Sequence, residues 1–124
     1  MVQITPRPLS QYFLTTFSSQ IGATPLVAFA IVPKMSRIVA IKCAQSAAVT
    51  GTSAIAVQIN GGTAISSLAL SVTGGSAGTE FTSTVSTADI SNAALNEDDV
   101  ISLTPSGATG SATGTFTIIL DGHA

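Results

Sequence analysis

Residues 53–72 read SAIAVQINGGTAISSLALSV and contain the clearest β-pattern of the chain. Alternation of apolar with small or polar residues at a period of two is typical of a strand with one buried face. The dipeptide Asn60-Gly61 stands between the two alternating runs, and Asn-Gly readily adopts the positive φ angles of a tight turn. The segment therefore predicts a β-hairpin. The apolar residues that alternate are Ile55, Val57, Ile59, Leu68, Leu70 and Val72.

The same signal recurs on both sides of this hairpin. Runs rich in Val, Ile, Leu and Thr are separated by Gly, Pro, Asn and Ser, which are turn residues. After the N-terminal segment, Thr87–Asn96 is the one helical prospect, with one or two turns and Thr87 as the candidate cap. Short strands without long helices between them predict an all-β fold, an antiparallel β-sandwich or jelly roll of about seven or eight strands, over residues 24–122. The predicted strands are 24–32, 36–44, 53–59, 63–72, 79–85, 100–104 and 113–120.

Residues 1–23 form a different segment, an extended N-terminal arm. Pro6 and Pro8 favour an extended backbone, and the segment contains an aromatic cluster that is too apolar for a disordered tail. The spacing within the cluster also suits a short helix over 10–18 with one apolar face. We therefore expect the arm to dock, either on its own domain or on a neighbour. The cluster consists of Tyr12, Phe13, Leu14 and Phe17.

The 124-residue chain has room for a single core, and its charge is unusually low. Charged residues make up 8% of the sequence, against about 25% in typical globular chains. The net charge of −2 argues against nucleic-acid binding, which depends on a basic stripe. A weakly charged β-domain with few Lys or Glu residues on its strands favours a homo-oligomer.

The few charges are also segregated along the sequence. All four basic residues precede residue 43 and all six acidic residues follow it. The segregation has two explanations, chance in a sparse set of charges or complementary faces on neighbouring subunits.

No constellation in the sequence indicates catalysis, a cofactor or a bound metal. Cys43 is the only cysteine, so we interpret it as a small buried hydrophobe, with His123 as its only conceivable histidine partner. The glycine-rich loops lack the Lys of a phosphate-binding loop and predict turns. The run Glu97-Asp98-Asp99 is expected to cap a turn or to face solvent, with a calcium site as the alternative. The protein is therefore predicted not to be an enzyme.

Targeting and membrane signals are likewise not found. The longest apolar run, 26–32, has seven residues and is far shorter than the roughly 20 that a membrane-spanning helix needs, so we interpret it as a strand. The N-terminus lacks the pattern of a secretory signal peptide.

Carbohydrate binding is a common function of small β-sandwiches, but the composition argues against it. Sugar rings are usually held by stacked aromatic side chains. The predicted sandwich has no Trp or Tyr, and its three aromatic residues, Phe29, Phe81 and Phe116, are all expected to point inward.

Three stretches resemble small structural proteins of tailed-phage particles. They are a hairpin at 51–61, an acidic turn before an apolar strand at 94–103, and a Gly/Ala/Thr-rich loop before a last strand at 110–120. In that group the same succession occurs in capsid decoration (cement) proteins and in fibre or spike heads. The resemblance covers roughly residues 24–121.

The resemblance implies a homotrimeric virion protein that is made in the host cytoplasm and lies on the outer capsid surface. There it would decorate and stabilise the phage capsid by bridging neighbouring subunits of the major capsid protein, without a cofactor. We expect Tyr12, Phe13, Leu14 and Phe17 to be its partner contacts, since aromatic residues lead interface hot spots. The alternative is a receptor- or glycan-binding head of a tail fibre or spike. Such a head should follow a long shaft, whereas the first predicted strand starts at residue 24.

Overall fold

A computed structural model describes residues 11–18 and 20–122, and this part of the chain contains strands and short 3-10 turns but no α-helix. The all-β prediction is confirmed. The 3-10 turns cover Ser66–Leu68, Thr87–Asp89 and Ser91–Ala93. The strands are β1 (Gln11–Ser18), β2 (Ala28–Ile31), β3 (Ser36–Gln45), β4 (Val49–Ile59), β5 (Leu70–Gly74), β6 (Glu80–Thr84), β7 (Ala94–Leu95), β8 (Val100–Ser106) and β9 (Gly114–Asp121).

The strands form two antiparallel sheets that pack as a β-sandwich. The first sheet has the order β1-β9-β3-β6, and the short β7 pairs with β3. The second sheet has the order β2-β8-β4-β5. The edge strands β1 and β2 adjoin on one side of the sandwich, and β5 and β6 adjoin on the other. The predicted sandwich architecture is therefore confirmed.

Alternate residues of the central strands build the core between the sheets. Phe116, Ile118 and Leu120 on β9 are fully buried, as the period of two predicts. Ile55 and Val57 on β4 face them from the second sheet, together with Ile101 and Leu103 on β8. Each such side chain contributes about 2 kcal/mol through its removal from water.

The predicted hairpin is present, but its second strand begins later in the sequence than predicted. Asn60 and Gly61 have φ angles of 52° and 71°, so the predicted turn is present. However, β5 begins at Leu70 rather than at residue 63, and its first pair in the ladder is Ile55 with Leu70. The intervening residues make a 3-10 turn that buries Ile65 and Leu68 in the core. The free energy gained by burying these two side chains outweighs that of continued strand pairing.

The short helix that the spacing over residues 10–18 also allowed is not formed by the residues that the structure describes, which are extended. Gln11–Ser18 is strand β1, which pairs with β9 along its whole length, from Gln11 opposite Asp121 to Ser18 opposite Gly114. Strand β9 provides hydrogen-bonding partners for the backbone of this whole segment. The spacing of apolar residues within the segment does not contain that information. Pro6, Pro8 and Ser10 lie outside the described residues.

The helical turns predicted over 87–96 are present as two 3-10 turns, but the predicted cap is wrong. Ser86 occupies the cap position and makes no side-chain cap bond, while Thr87 lies inside the turn. The segment is held instead by Asp89, whose carboxylate accepts hydrogen bonds from the amide of Ser67 at 3.0 Å and from Nδ2 of Asn92 at 3.2 Å.

Candidate docking surfaces

The predicted partner contacts all lie on β1, at the edge of the first sheet, but their side chains have different surroundings. Tyr12 and Leu14 are half-buried and pack against the protein's own core. Phe13 is 63% exposed on the outer face of the sheet. The backbone of Phe17 pairs with Thr115, and its side chain lies outside the described part of the chain. Among the described side chains of the cluster, Phe13 is therefore the candidate for contact with a partner.

Tyr12 is engaged within the chain. Its hydroxyl donates a hydrogen bond to Oγ of Ser36 at 2.8 Å and lies 3.3 Å from the carbonyl oxygen of Lys34. The Lys34 ammonium stands 4.8 Å from the centre of the tyrosine ring, a cation–π distance. This network anchors the start of β1 to the β2–β3 connection.

A shallow depression of about 430 Å³ lies on the outer face of the first sheet, beside Phe13. Cross-strand pairing brings Lys42 of β3 next to Thr117 of β9. The ammonium of Lys42 lies 3.6 Å from the carboxylate of Glu80, an exposed ion pair that contributes little stability. The depression is thus mixed in character, with one aromatic ring, aliphatic surface, hydroxyl groups and one charge pair. Its lining includes Phe13, Lys42, Glu80, Thr115, Thr117 and Ile119.

Four of the segregated charged residues form two ion pairs within the chain. Besides Lys42 and Glu80, a guanidinium nitrogen of Arg37 lies 3.6 Å from a carboxylate oxygen of Asp121. Both basic residues are on β3, and their acidic partners are on the flanking strands β9 and β6. Strand order within one subunit therefore brings these opposite charges together.

The second sheet carries an apolar surface at its edge strand β2. Phe29 and Ile31 are 59% and 65% exposed, while Ala28 between the sheets is 2% exposed. The expectation that Phe29 points inward is wrong, Phe81 is half-buried, and Phe116 is fully buried. Every residue from 26 to 32 is apolar, so the period of two does not show which side of the strand faces the core. The small residues Ala28 and Ala30, which alternate with Phe29 and Ile31, were the available signal for the inward side.

The exposed large side chains are concentrated on the β1/β2 side of the sandwich. The two edge strands are joined there by a hydrogen bond of 2.9 Å from the Thr16 hydroxyl to the carbonyl oxygen of Phe29. Exposed apolar residues on or beside these strands are Phe13, Leu26, Val27, Phe29, Ile31 and Met35. The exposed residues of the opposite edge strands β5 and β6 are Ser71, Thr73, Glu80, Thr82 and Thr84. Sequence reasoning found the β1 part of this surface and missed the β2 part.

The candidate reactive groups named from the sequence lie in different surroundings. Cys43 is buried as predicted, and burial raises the pKa of its thiol to about 11, so it is not a thiolate at neutral pH. His123 lies outside the described residues. Within the described ranges, no group of three His, Cys, Asp or Glu side chains is placed to hold a metal ion.

The acidic run and the glycine-rich loops have the structural roles that were predicted. Asp99 accepts hydrogen bonds from the amide of Asn96 at 2.8 Å and from Nδ2 of Asn60 at 2.9 Å, which lowers the pKa of its carboxyl. Glu97 and Asp98 are exposed. Gly74, Gly75 and Gly78 have positive φ angles, as turn glycines do.

Comparisons with known proteins leave this chain without a family. No family model matches the sequence, and no curated protein matches it. A solved structure described as "CBM4 structure and function" is similar to the chain with a TM-score of 0.41 and 14% sequence identity, over 90% of this chain and 84% of that one. A likeness of this size bears on neither the site nor the function. Within residues 11–18 and 20–122, the structure holds no helix with the length and hydrophobicity required to cross a membrane.

Proposed function

We propose that this chain is a non-enzymatic structural protein of a tailed-phage virion, which decorates and stabilises the capsid as a homo-oligomer, with a trimer expected. In this proposal it lies on the outer capsid surface and bridges neighbouring subunits of the major capsid protein. One observation carries the proposal: a weakly charged β-sandwich exposes several large apolar side chains along the side where β1 and β2 adjoin. Exposed apolar surface of this kind is typical of protein–protein contact.

The outer face of the first sheet suits the contact with the coat protein. Phe13 supplies an exposed aromatic anchor on a strand that is held along its whole length by β9. Lys42 and Glu80 lie beside it and can orient a partner by charge complementarity. Each contact would be small, but many copies on one lattice add up through avidity.

The test is binding of the purified protein to capsids that lack decoration. We expect saturable binding that raises the temperature at which the capsids release their contents, and at least tenfold weaker binding for Phe13→Ser. Thr15→Ser, on the same face of the same strand, serves as the matched control and should bind normally. Failure of the wild-type protein to bind would refute the proposal.

The depression on the first sheet supports a second candidate, the receptor- or glycan-binding head of a tail fibre or spike. Its exposed Phe13 ring lies near the hydroxyl groups of Thr115 and Thr117, and near Lys42 and Glu80. An aromatic ring with adjacent hydrogen-bonding groups is able to stack on a sugar and to orient it. Binding to a glycan array or to host cells, lost in Phe13→Ser and without any affinity for capsids, would favour this function over capsid decoration.

A further inference from the structure

We propose that the outer face of the second sheet, along β2, binds a second copy of this chain. We call this surface the β2 face. Its members are Leu26, Val27, Phe29, Ile31 and Met35, with exposed fractions of 49%, 41%, 59%, 65% and 63%. The inference deepens the proposed function and rests on one part of it, that the chain forms a homo-oligomer.

Two members of the β2 face, Phe29 and Ile31, lie on the edge strand itself, and Leu26, Val27 and Met35 lie in the segments that flank it. Phe29 and Ile31 are paired with Ser102 and Val100 of β8, so the backbone beneath them is fixed. The next residue, Val32, extends the link to β8, since its amide donates to the carbonyl oxygen of Asp99 at 2.9 Å. The two large side chains are therefore presented to solvent by an ordered sheet, and little conformational entropy is lost when they are covered.

The area of the β2 face matches what a weak to moderate homo-oligomer needs. Its exposed side-chain fractions correspond to roughly 500 Å² per copy, and hence about 1,000 Å² for two copies, which is where specific interfaces begin. The opposite edge strands expose Ser, Thr and Glu instead. Five exposed large apolar residues on and beside one edge strand are more than the scattered apolar residues of an ordinary surface.

The chemistry of the β2 face favours a second copy over an unrelated partner. In a closed homo-oligomer, residues near the symmetry axis meet their own counterparts, so any charge there would face a like charge. Residues 8–33 contain no charged side chain, which reduces this penalty at Leu26, Val27, Phe29 and Ile31, while Lys34 is next to Met35 in the sequence. The outer face of the first sheet differs, since it carries Arg37, Lys42, Glu80 and Asp121, which suit a partner with a complementary charge pattern.

We infer that two copies pack through their β2 faces. They do not associate by adding a strand to the sheet edge at β2. The carbonyl oxygen of Phe29 already accepts a hydrogen bond from the Thr16 hydroxyl at 2.9 Å. An incoming strand would have to displace β1 from this edge. Packing of exposed side chains against their counterparts requires no such rearrangement.

The experiment is size-exclusion chromatography with light scattering over a hundredfold range of concentration. Three proteins are compared: wild type, Phe29→Ser combined with Ile31→Ser, and Thr73→Ala as the control at an exposed position on β5, the opposite edge strand of the same sheet. We expect the wild type and Thr73→Ala to be oligomers, and the double variant to dissociate at concentrations at least tenfold higher than the wild type. Circular dichroism and thermal unfolding check that each variant is folded.

Met35→Lys provides a second test that removes no core contact. Met35 is 63% exposed, so the substitution places a like charge on each copy without disturbing the interior. We expect weaker self-association at low salt and partial recovery at high salt, because salt screens the repulsion. A purely structural defect would not recover with salt.

Two results would overturn the inference, and they are distinguishable from failure of the proposed function. An oligomer that is unaffected by both the double variant and Met35→Lys would place self-association elsewhere and leave the proposed function intact. A wild type that stays monomeric at every concentration would exclude self-association through the β2 face, while capsid binding would still decide the proposed function separately.

Discussion

The hydroxyl of Tyr12 donates a hydrogen bond to Oγ of Ser36 at 2.8 Å and thereby ties the first strand to the start of the third. Ser36 is 5% exposed, and its own hydroxyl donates a hydrogen bond to the carbonyl oxygen of Lys34 at 3.1 Å. The neighbouring residue Phe13 has the opposite orientation and faces solvent. Adjacent aromatic residues thus have different surroundings: Tyr12 is tied into the fold, and Phe13 is exposed, as the proposed contact requires.

Tyr12→Phe should lower the free energy of unfolding by about 1 kcal/mol, because it deletes one part-buried hydrogen bond and retains the ring. Its binding to capsids should be unchanged. Phe13→Ser should show the reverse, with stability close to wild type and weaker binding. Urea unfolding monitored by circular dichroism, together with the capsid-binding assay, measures both. If Tyr12→Phe weakened binding as much as Phe13→Ser at unchanged stability, the division of roles would be wrong.

Acid should destabilise the protein through two carboxylates that fasten loops. Hydrogen bonds from Ser67 and Asn92 lower the pKa of Asp89 below 3.8, and those from Asn96 and Asn60 do the same for Asp99. The unfolded chain therefore takes up these protons first as the pH falls. The stability from both groups is present above their ordinary pKa and is lost as the pH drops through the folded values.

Asp99→Asn should accordingly be less stable than wild type at neutral pH, and the difference should shrink at about pH 3 and below. Urea midpoints at the two pH values measure this. Glu97→Gln is the matched control, since it removes a nearby exposed carboxylate, and its urea midpoint at neutral pH should equal that of the wild type. A constant difference between Asp99→Asn and wild type across the acid range would contradict the assignment.

The strands of the sandwich were predictable wherever one face is buried and the other is polar. In β4 and β9 the alternation of large and small residues reports burial directly, and Asn60-Gly61 marks its turn because few other dipeptides tolerate two positive φ angles. Strand β1 was missed because its apolar spacing fits a helix as well as a strand. What decides between them is the ladder with β9, about a hundred residues away in sequence, and local patterns do not contain such pairing.

The candidate site was predictable only in part, for a related reason. Aromatic residues on β1 stand out by composition, so Phe13 was identified. Phe29 and Ile31 were hidden in an uninterrupted apolar run, in which both phases of the period look buried. Their exposure follows from the position of β2 at a sheet edge, with Ala28 turned into the core, and edge position is a property of topology.

Cys43 should be inert in the folded protein. It is buried near the end of β3, and burial raises the pKa of its thiol from 9.0 to about 11. We expect negligible labelling by a thiol reagent at pH 8 under native conditions and rapid labelling in urea, because the thiolate is the reactive form. Mass spectrometry of the labelled protein measures the extent, and Cys43→Ala should give no label. Rapid native labelling would show that the thiol is accessible.

The same shift predicts a loss of stability at alkaline pH. The unfolded thiol ionises near 9.0 and the folded thiol only near 11, so the unfolded state gains ionisation free energy over this interval. Stability is fully present below pH 9.0 and falls as the pH rises toward 11. Cys43→Ala should be less stable than wild type at neutral pH but should decline less over the alkaline range.

Gly22→Ala should be far more damaging than a single added methyl group suggests. Gly22 is buried, and a Cβ at this position would collide with the carbonyl oxygen of Gly110, which also accepts a hydrogen bond from the amide of Ala23 at 2.9 Å. The two backbones must separate, so we expect a loss of about 3 kcal/mol in the free energy of unfolding. Urea unfolding measures it.

Gly78→Ala is the matched control for this prediction. Gly78 has a φ of +85°, and a Cβ there would meet no heavy atom within 4 Å. It should therefore cost only the backbone penalty of the left-handed region, about 1 kcal/mol. Because Gly22 lies where the segment after β1 approaches the loop before β9, a large effect of Gly22→Ala alone would show that this close approach holds the N-terminal strand on the sandwich. Equal stabilities of the two variants would mean that the backbones at residues 22 and 110 are free to move apart.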